Sequence, residues 1–93
     1  MGPNAGEQVQ MTNLATNQTQ AAEVKALDRT SLYLVVHSAV APRELVKIEG
    51  PDWLALGEVV AFEPGDAPTA LVELEHTLLN ARDLARHREI WLR

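Results

Sequence analysis

The feature that most constrains the fold is an alternation of apolar and polar side chains that returns in six short segments of the chain. Successive side chains of a β-strand point to opposite faces, so the alternation predicts strands with one buried and one solvated face. Turn residues separate the segments, including Gly50-Pro51-Asp52 and the stretch PGDAP at 64–68. Short strands spaced by turns predict a closed or nearly closed antiparallel β-barrel. The predicted strands are 7–14, 20–27, 31–37, 45–49, 53–63 and 69–76.

The same alternation predicts which side chains meet inside the barrel. In the second strand it places Ala22, Val24 and Ala26 on one face. Gly57 interrupts the fifth strand and predicts a bulge or bend there. Trp53 follows a turn and is predicted to plug the core rather than form an exposed contact. The side chains predicted to share the core include Val24, Leu32, Leu34, Ile48, Leu56 and Val72.

In the last segment of the chain, the spacing of the apolar side chains changes from that of a strand to that of a helix. Residues 79–93 carry apolar side chains at helical spacing, Asn80 can cap the helix, and Asp83 favours its N-terminal dipole. The sequence therefore predicts a disordered start at 1–6, a barrel at 7–78 and a C-terminal helix at 79–93. The residues predicted to pack this helix on the barrel are Ala81, Leu84, Ala85, Trp91 and Leu92.

Composition narrows the classes of function. The 93-residue chain contains no cysteine, which excludes disulfides, thiolate zinc sites and iron–sulfur clusters and fits a reducing, cytoplasmic setting. No apolar run approaches the roughly 20 residues that span a bilayer. The net charge of −5 makes nucleic acid and anionic membranes unexpected partners.

The side chains that could carry chemistry do not form a catalytic or metal-binding pattern. His37 and Ser38 are adjacent, but no glycine-rich nucleophile elbow accompanies them. Glu58, Glu73 and Glu75 are interpreted as a solvated outer face of the sheet. We therefore expect neither an enzyme nor a cofactor or metal. The histidines, none of them at a metal-ligand spacing from another, are His37, His76 and His87.

Three stretches, taken in order, resemble the PilZ domain, a bacterial signalling module. They are AEVKALDRTSLYL at 22–34, RELVKIEGPDWLALGEVVAFEPG at 43–65 and TALVELEHTL at 69–78, with the predicted helix behind them. The third stretch lacks the glycine of the G-x-x-F pattern that members often carry. The resemblance implies an all-β fold with a C-terminal helix, namely a six-stranded antiparallel PilZ-like barrel.

Many PilZ domains bind cyclic di-GMP through an R-x-x-x-R arm and a D/N-x-S-x-x-G turn. Aligned on the turn, this chain has Ala26, Asp28 and Ser31 at the three signature positions, which leaves Arg29 as a residual ligand-binding candidate. A one-register slip would keep D-x-T from Asp28 but place Tyr33 at the glycine position. Residues 1–7, MGPNAGE, carry no basic side chain, so either the arm lies outside this chain or the domain never had one.

A carboxylate at position 28 would stand close to a bound phosphate. At about 4 Å and an effective dielectric near 20, two like charges repel by roughly 4 kcal/mol. The resemblance therefore implies a degenerate, non-catalytic domain that acts as a protein-interaction or signalling adaptor and does not bind cyclic di-GMP. The alternative is a cyclic di-GMP receptor whose arginine arm is missing from this chain or replaced by other residues.

The basic end of the chain is the candidate surface for a protein partner. Residues 80–93 hold four arginines against two acids, whereas residues 1–79 hold eleven acids against four bases. Arg82, Arg86 and Arg93 share one side of the predicted helix. These three are the predicted partner-binding residues, and the alternative is an ordinary solvated helix face.

Overall fold

The computed structural model describes residues 3–78, which form a closed barrel of six antiparallel β-strands. Around the barrel the order is β1, β2, β3, β6, β5 and β4, and β4 pairs with β1 to close it. The predicted six-stranded antiparallel barrel is confirmed. The predicted helix at 79–93 lies outside the described residues. The strands are β1 (Gln8–Asn13), β2 (Thr19–Asp28), β3 (Ser31–Val36), β4 (Leu45–Glu49), β5 (Leu54–Glu63) and β6 (Thr69–Leu78).

The core lies inside the barrel and consists of the inward side chains of all six strands. Its largest fully buried members are Trp53, Leu32, Leu34, Ile48, Val24, Val46, Val59 and Val72. Five of the six predicted core residues are thus buried as expected, which confirms the predicted orientation of β2, β3, β4 and β6.

Two predicted inward positions are wrong. Ala26 is exposed because β2 and β3 shift register between Val24 and Ala26, so the alternation is broken at that point. Leu56 is only half-buried and lies outside the core, whereas its neighbours Ala55 and Gly57 are both buried. The run from Trp53 to Leu56 is entirely apolar, so its pattern alone does not reveal which residues point inward.

The predicted irregularity at Gly57 is confirmed. The pairing of β5 with β6 shifts register between Leu56 and Gly57. A Cβ atom at Gly57 would lie 2.5 Å from the backbone carbonyl oxygen of Glu73 and 2.7 Å from Cγ1 of Val72. Glycine therefore allows the two strands to approach at the bend.

Trp53 closes one end of the barrel, as predicted for a core plug. Its side chain is fully buried, and its indole Nε1 donates a hydrogen bond of 3.1 Å to Oε1 of Glu7. Gly50 lies so close to the ring that a Cβ atom there would be 2.1 Å from Nε1 of Trp53. The glycine of the β4–β5 turn thus makes room for the indole.

The chain before β1 crosses this same end of the barrel. Residues 1–6 are predicted to be disordered, and of the described part, residues 3–6, the last two residues form a turn. The Gly6 N–H donates to the carbonyl of Val24 at 2.7 Å, and the Val24 N–H donates to the carbonyl of Glu7 at 2.9 Å. The Asn4 N–H also donates to Oε1 of Glu7 at 3.0 Å. Glu7 therefore connects this turn, β2 and the Trp53 plug.

Candidate functional site

The β2–β3 turn contains the residues that the sequence analysis compared with a ligand-binding motif. Asp28 pairs with Ser31, which leaves Arg29 and Thr30 as a two-residue connection. Such tight turns favour glycine or asparagine because they require positive φ angles. Arg29 nevertheless has a φ of 58°, a left-handed conformation that costs a residue with a Cβ atom roughly 1–2 kcal/mol. Contacts around the turn must offset that cost.

The carboxylate of Glu73 supplies those contacts from β6. Thr30 donates its hydroxyl hydrogen to Oε1 of Glu73, and Ser31 donates its own to Oε2 at 2.8 Å. The backbone reinforces the link, because the Leu74 N–H donates to the carbonyl of Thr30 at 2.7 Å. Both oxygens of one carboxylate therefore hold the turn against β6.

These hydrogen bonds keep Glu73 ionised. The Thr30 hydroxyl, and then the Ser31 hydroxyl, lower the pKa of Glu73 below its ordinary value of 4.5, against a smaller opposing effect of desolvation. Hydrogen bonds to the charged form of a carboxylic acid favour that form. The turn hydroxyls are thus engaged with an anion that belongs to the protein itself.

The surroundings of this carboxylate are acidic. Ser31 lies opposite Glu73 between β3 and β6, and Glu73 lies opposite Glu58 between β6 and β5. Asp28 lies opposite Ser31 on the other side, so Asp28, Ser31, Glu73 and Glu58 are neighbours across four strands. We call these four residues the acidic row. A second anion brought to the turn would meet three carboxylates.

We predict that replacing Thr30 with valine raises the pKa of Glu73, because it removes the first of the two hydroxyl donors. The pH titration of the Glu73 side-chain carboxyl carbon by NMR measures this shift. Because the folded-state pKa is depressed, the stabilising contribution is present above about pH 4.5 and is lost as the pH falls through the folded pKa. The variant is expected to lose part of that pH dependence.

Thr19→Val is the matched control for this titration. Thr19 also uses its hydroxyl in a side-chain hydrogen bond, with Thr12 at 2.9 Å, but it makes no hydrogen bond to Glu73. An equal shift of Glu73 in both variants, or no shift in Thr30→Val, would contradict the assignment of the donors.

The structure brings some of the predicted site residues together and separates others. Asp28, Arg29 and Ser31 lie at the turn, whereas Ala26 is an exposed residue farther back on β2. The role of Glu73 was missed, because the sequence analysis assigned it only to a solvated face. The missing information is that β3 pairs with β6, which places Ser31 opposite Glu73. The predicted partner-binding residues Arg82, Arg86 and Arg93 lie outside the described residues.

The described part of the chain offers few other functional groups. Among the described side chains, those of residues 3–75, no group of three or more His, Cys, Asp or Glu is arranged to hold a metal ion. Over the same range, no helix has the length and apolar character needed to cross a membrane. The β2–β3 turn and its acidic row are therefore the strongest candidate site.

No family model, curated protein or solved structure matches the chain. Arguments about its function therefore depend on its own residues and geometry.

Proposed function

We propose that the chain is a non-catalytic, degenerate PilZ-like domain that works as a protein-interaction or signalling adaptor in the cytoplasm and does not bind cyclic di-GMP. The observation that supports this best is the engagement of both turn hydroxyls by Glu73. In the aligned motif this turn would have to accept a nucleotide that carries two phosphate charges.

Binding that nucleotide at the turn would require two unfavourable changes. The ligand would have to compete with the Glu73 carboxylate for Thr30 and Ser31, and it would have to approach Asp28. One unscreened like-charge contact at about 4 Å costs roughly 4 kcal/mol, which is about half the binding free energy of a micromolar ligand. The acidic row therefore favours exclusion of the nucleotide.

Calorimetry with cyclic di-GMP tests the proposal directly. For the natural chain we expect no saturable heat of binding at cyclic di-GMP concentrations on the order of 10 μM. A variant that combines Ala26→Asp, Asp28→Ser, Ser31→Gly and Glu73→Gln with an added N-terminal R-x-x-x-R arm is expected to gain measurable affinity. The same arm on the unchanged turn is the matched control and should bind weakly or not at all.

Saturable heat from the natural chain, together with amide shifts at residues 26–31, would contradict the proposal. That result would favour the alternative, a cyclic di-GMP receptor that uses other residues in place of the usual motif.

The proposed adaptor contacts its partner through Arg82, Arg86 and Arg93. The reason is the charge contrast between this segment and the barrel. Arginine is enriched among residues that contribute strongly to protein interfaces. The second candidate surface is the acidic face formed by Glu58, Glu73 and Glu75.

A further inference from the structure

The end of the barrel opposite the β2–β3 turn contains a pocket of about 380 Å³, which we call the mouth pocket. It lies between the β1–β2 turn and the β3–β4 connection at residues 37–44. Its apolar lining includes Ala39, Val40 and the edges of the core residues Met11 and Val46. Its polar lining includes Asn13, Ser38 and Glu44. This volume is in the range of sites that hold a small molecule or a large side chain.

One wall of the mouth pocket is held in place by a single side chain. Oε1 of Gln20 accepts hydrogen bonds from the backbone N–H groups of His37 and Ser38, each at 2.9 Å. Nε2 of Gln20 donates to the carbonyl of Ser38 at 3.3 Å. Gln20 also lines the pocket. The wall is thus formed before any ligand binds, which reduces the ordering cost of binding.

Glu44 is the charged residue of the lining. Its backbone is fixed, because the Val59 N–H donates to its carbonyl at 2.8 Å. Glu44 is half-buried, and among the described side chains of residues 3–75 no hydrogen bond or ion pair to its carboxylate is found. A half-buried carboxylate beside the half-buried side chain of Val40 favours a cation that carries an aliphatic stem.

We infer that the mouth pocket binds the side chain of an arginine presented by a partner protein. The aliphatic stem packs against the half-buried Val40, and the guanidinium donates to the Glu44 carboxylate and the Ser38 hydroxyl. Arginine fits better than lysine because its planar group has five donors and is more weakly hydrated. Residues 1–79 hold eleven acids and four bases, so the barrel as a whole attracts cations.

This inference goes beyond the proposed function and does not depend on it. The mouth pocket and the β2–β3 turn lie at opposite ends of the barrel, because successive strands of the chain run in opposite directions and their connections therefore alternate between the two ends. Cyclic di-GMP binding at the turn would leave the arginine site untouched.

An NMR titration of the full chain with N-acetyl-arginine amide tests the site. We expect saturable shifts of the His37 and Ser38 amides and of the Gln20 side-chain amide, with a Kd on the order of 1 mM for a single side chain. N-acetyl-norleucine amide keeps an aliphatic stem without the charge and should give no saturable shift. A partner protein presents only the arginine side chain, so the charged α-amino and carboxylate groups of free arginine should add no affinity. Free arginine is therefore expected to bind no more tightly than the blocked amide.

Glu44→Gln removes the charge that the inference assigns to guanidinium binding. The variant weakens the charge-assisted hydrogen bond between the guanidinium and residue 44, so the Kd for N-acetyl-arginine amide should rise about 10-fold. Asp52→Asn is the matched control, because Asp52 is an exposed acid in the β4–β5 turn at the other end. Gln20→Ala removes the hydrogen bonds to the backbone of His37 and Ser38 but keeps Glu44. This variant should weaken binding several-fold.

Equal weakening by Glu44→Gln and Asp52→Asn would overturn the inference, because it would indicate only a diffuse attraction of cations. Unchanged binding in both Glu44→Gln and Gln20→Ala would overturn it as well. Much tighter binding of free arginine than of the blocked amide would assign the pocket to an amino acid rather than to a protein partner.

Discussion

Replacing Trp53 with alanine is expected to lower the free energy of unfolding by about 3–5 kcal/mol, the usual cost of truncating a buried tryptophan or phenylalanine. The indole is fully buried and forms the plug at one end of the core. Its removal leaves a cavity and also deletes the hydrogen bond to Glu7. Urea unfolding followed by far-ultraviolet circular dichroism measures the loss.

Two further variants separate the ring from its hydrogen bond. Trp53→Phe keeps an aromatic side chain but loses the N–H donor, so its cost should fall below that of the alanine variant. Glu7→Gln keeps a carbonyl acceptor for Nε1 and should cost about 1 kcal/mol or less. A loss below about 1 kcal/mol for Trp53→Ala would mean that the indole does not fill the end of the barrel.

Truncation of Leu34 to alanine is expected to cost about 2–5 kcal/mol, because its side chain is fully buried in the core. Leu56→Ala removes the same atoms from a half-buried position outside the core, and it should cost about 1 kcal/mol or less. Denaturant unfolding of the two variants under identical conditions gives the comparison. Equal losses would contradict the orientation of β5, since Leu56 would then have to point inward.

The strands of this protein could be predicted well from the sequence because alternation is a local property. Each predicted strand matches an observed strand to within a few residues at its ends. The bend at Gly57 was predictable for the same reason, since a glycine inside a strand pattern is a local signal of a bulge. The position of Trp53 after a turn allowed either a core plug or an exposed contact, and the predicted core plug is confirmed.

The errors occur where register is set by a neighbouring strand. Ala26 fits the alternation of β2 but points outward, because the bulge against β3 breaks the pattern after Val24. Leu56 lies in an apolar run whose phase is decided by the close approach of Gly57 to β6. Such phase shifts depend on strand pairing, which a single segment does not encode.

The candidate site shows the same division. Residues 26–31 determine by themselves that the turn lacks the glycine and the polar pattern of a nucleotide-binding motif. Only the tertiary structure decides that Glu73, more than 40 residues later, lies opposite Ser31 and takes both turn hydroxyls. Local residue types determine strands and turns because they act through neighbouring backbone and side-chain geometry. Barrel closure decides which distant strands become neighbours, and it thereby places the carboxylate at the turn.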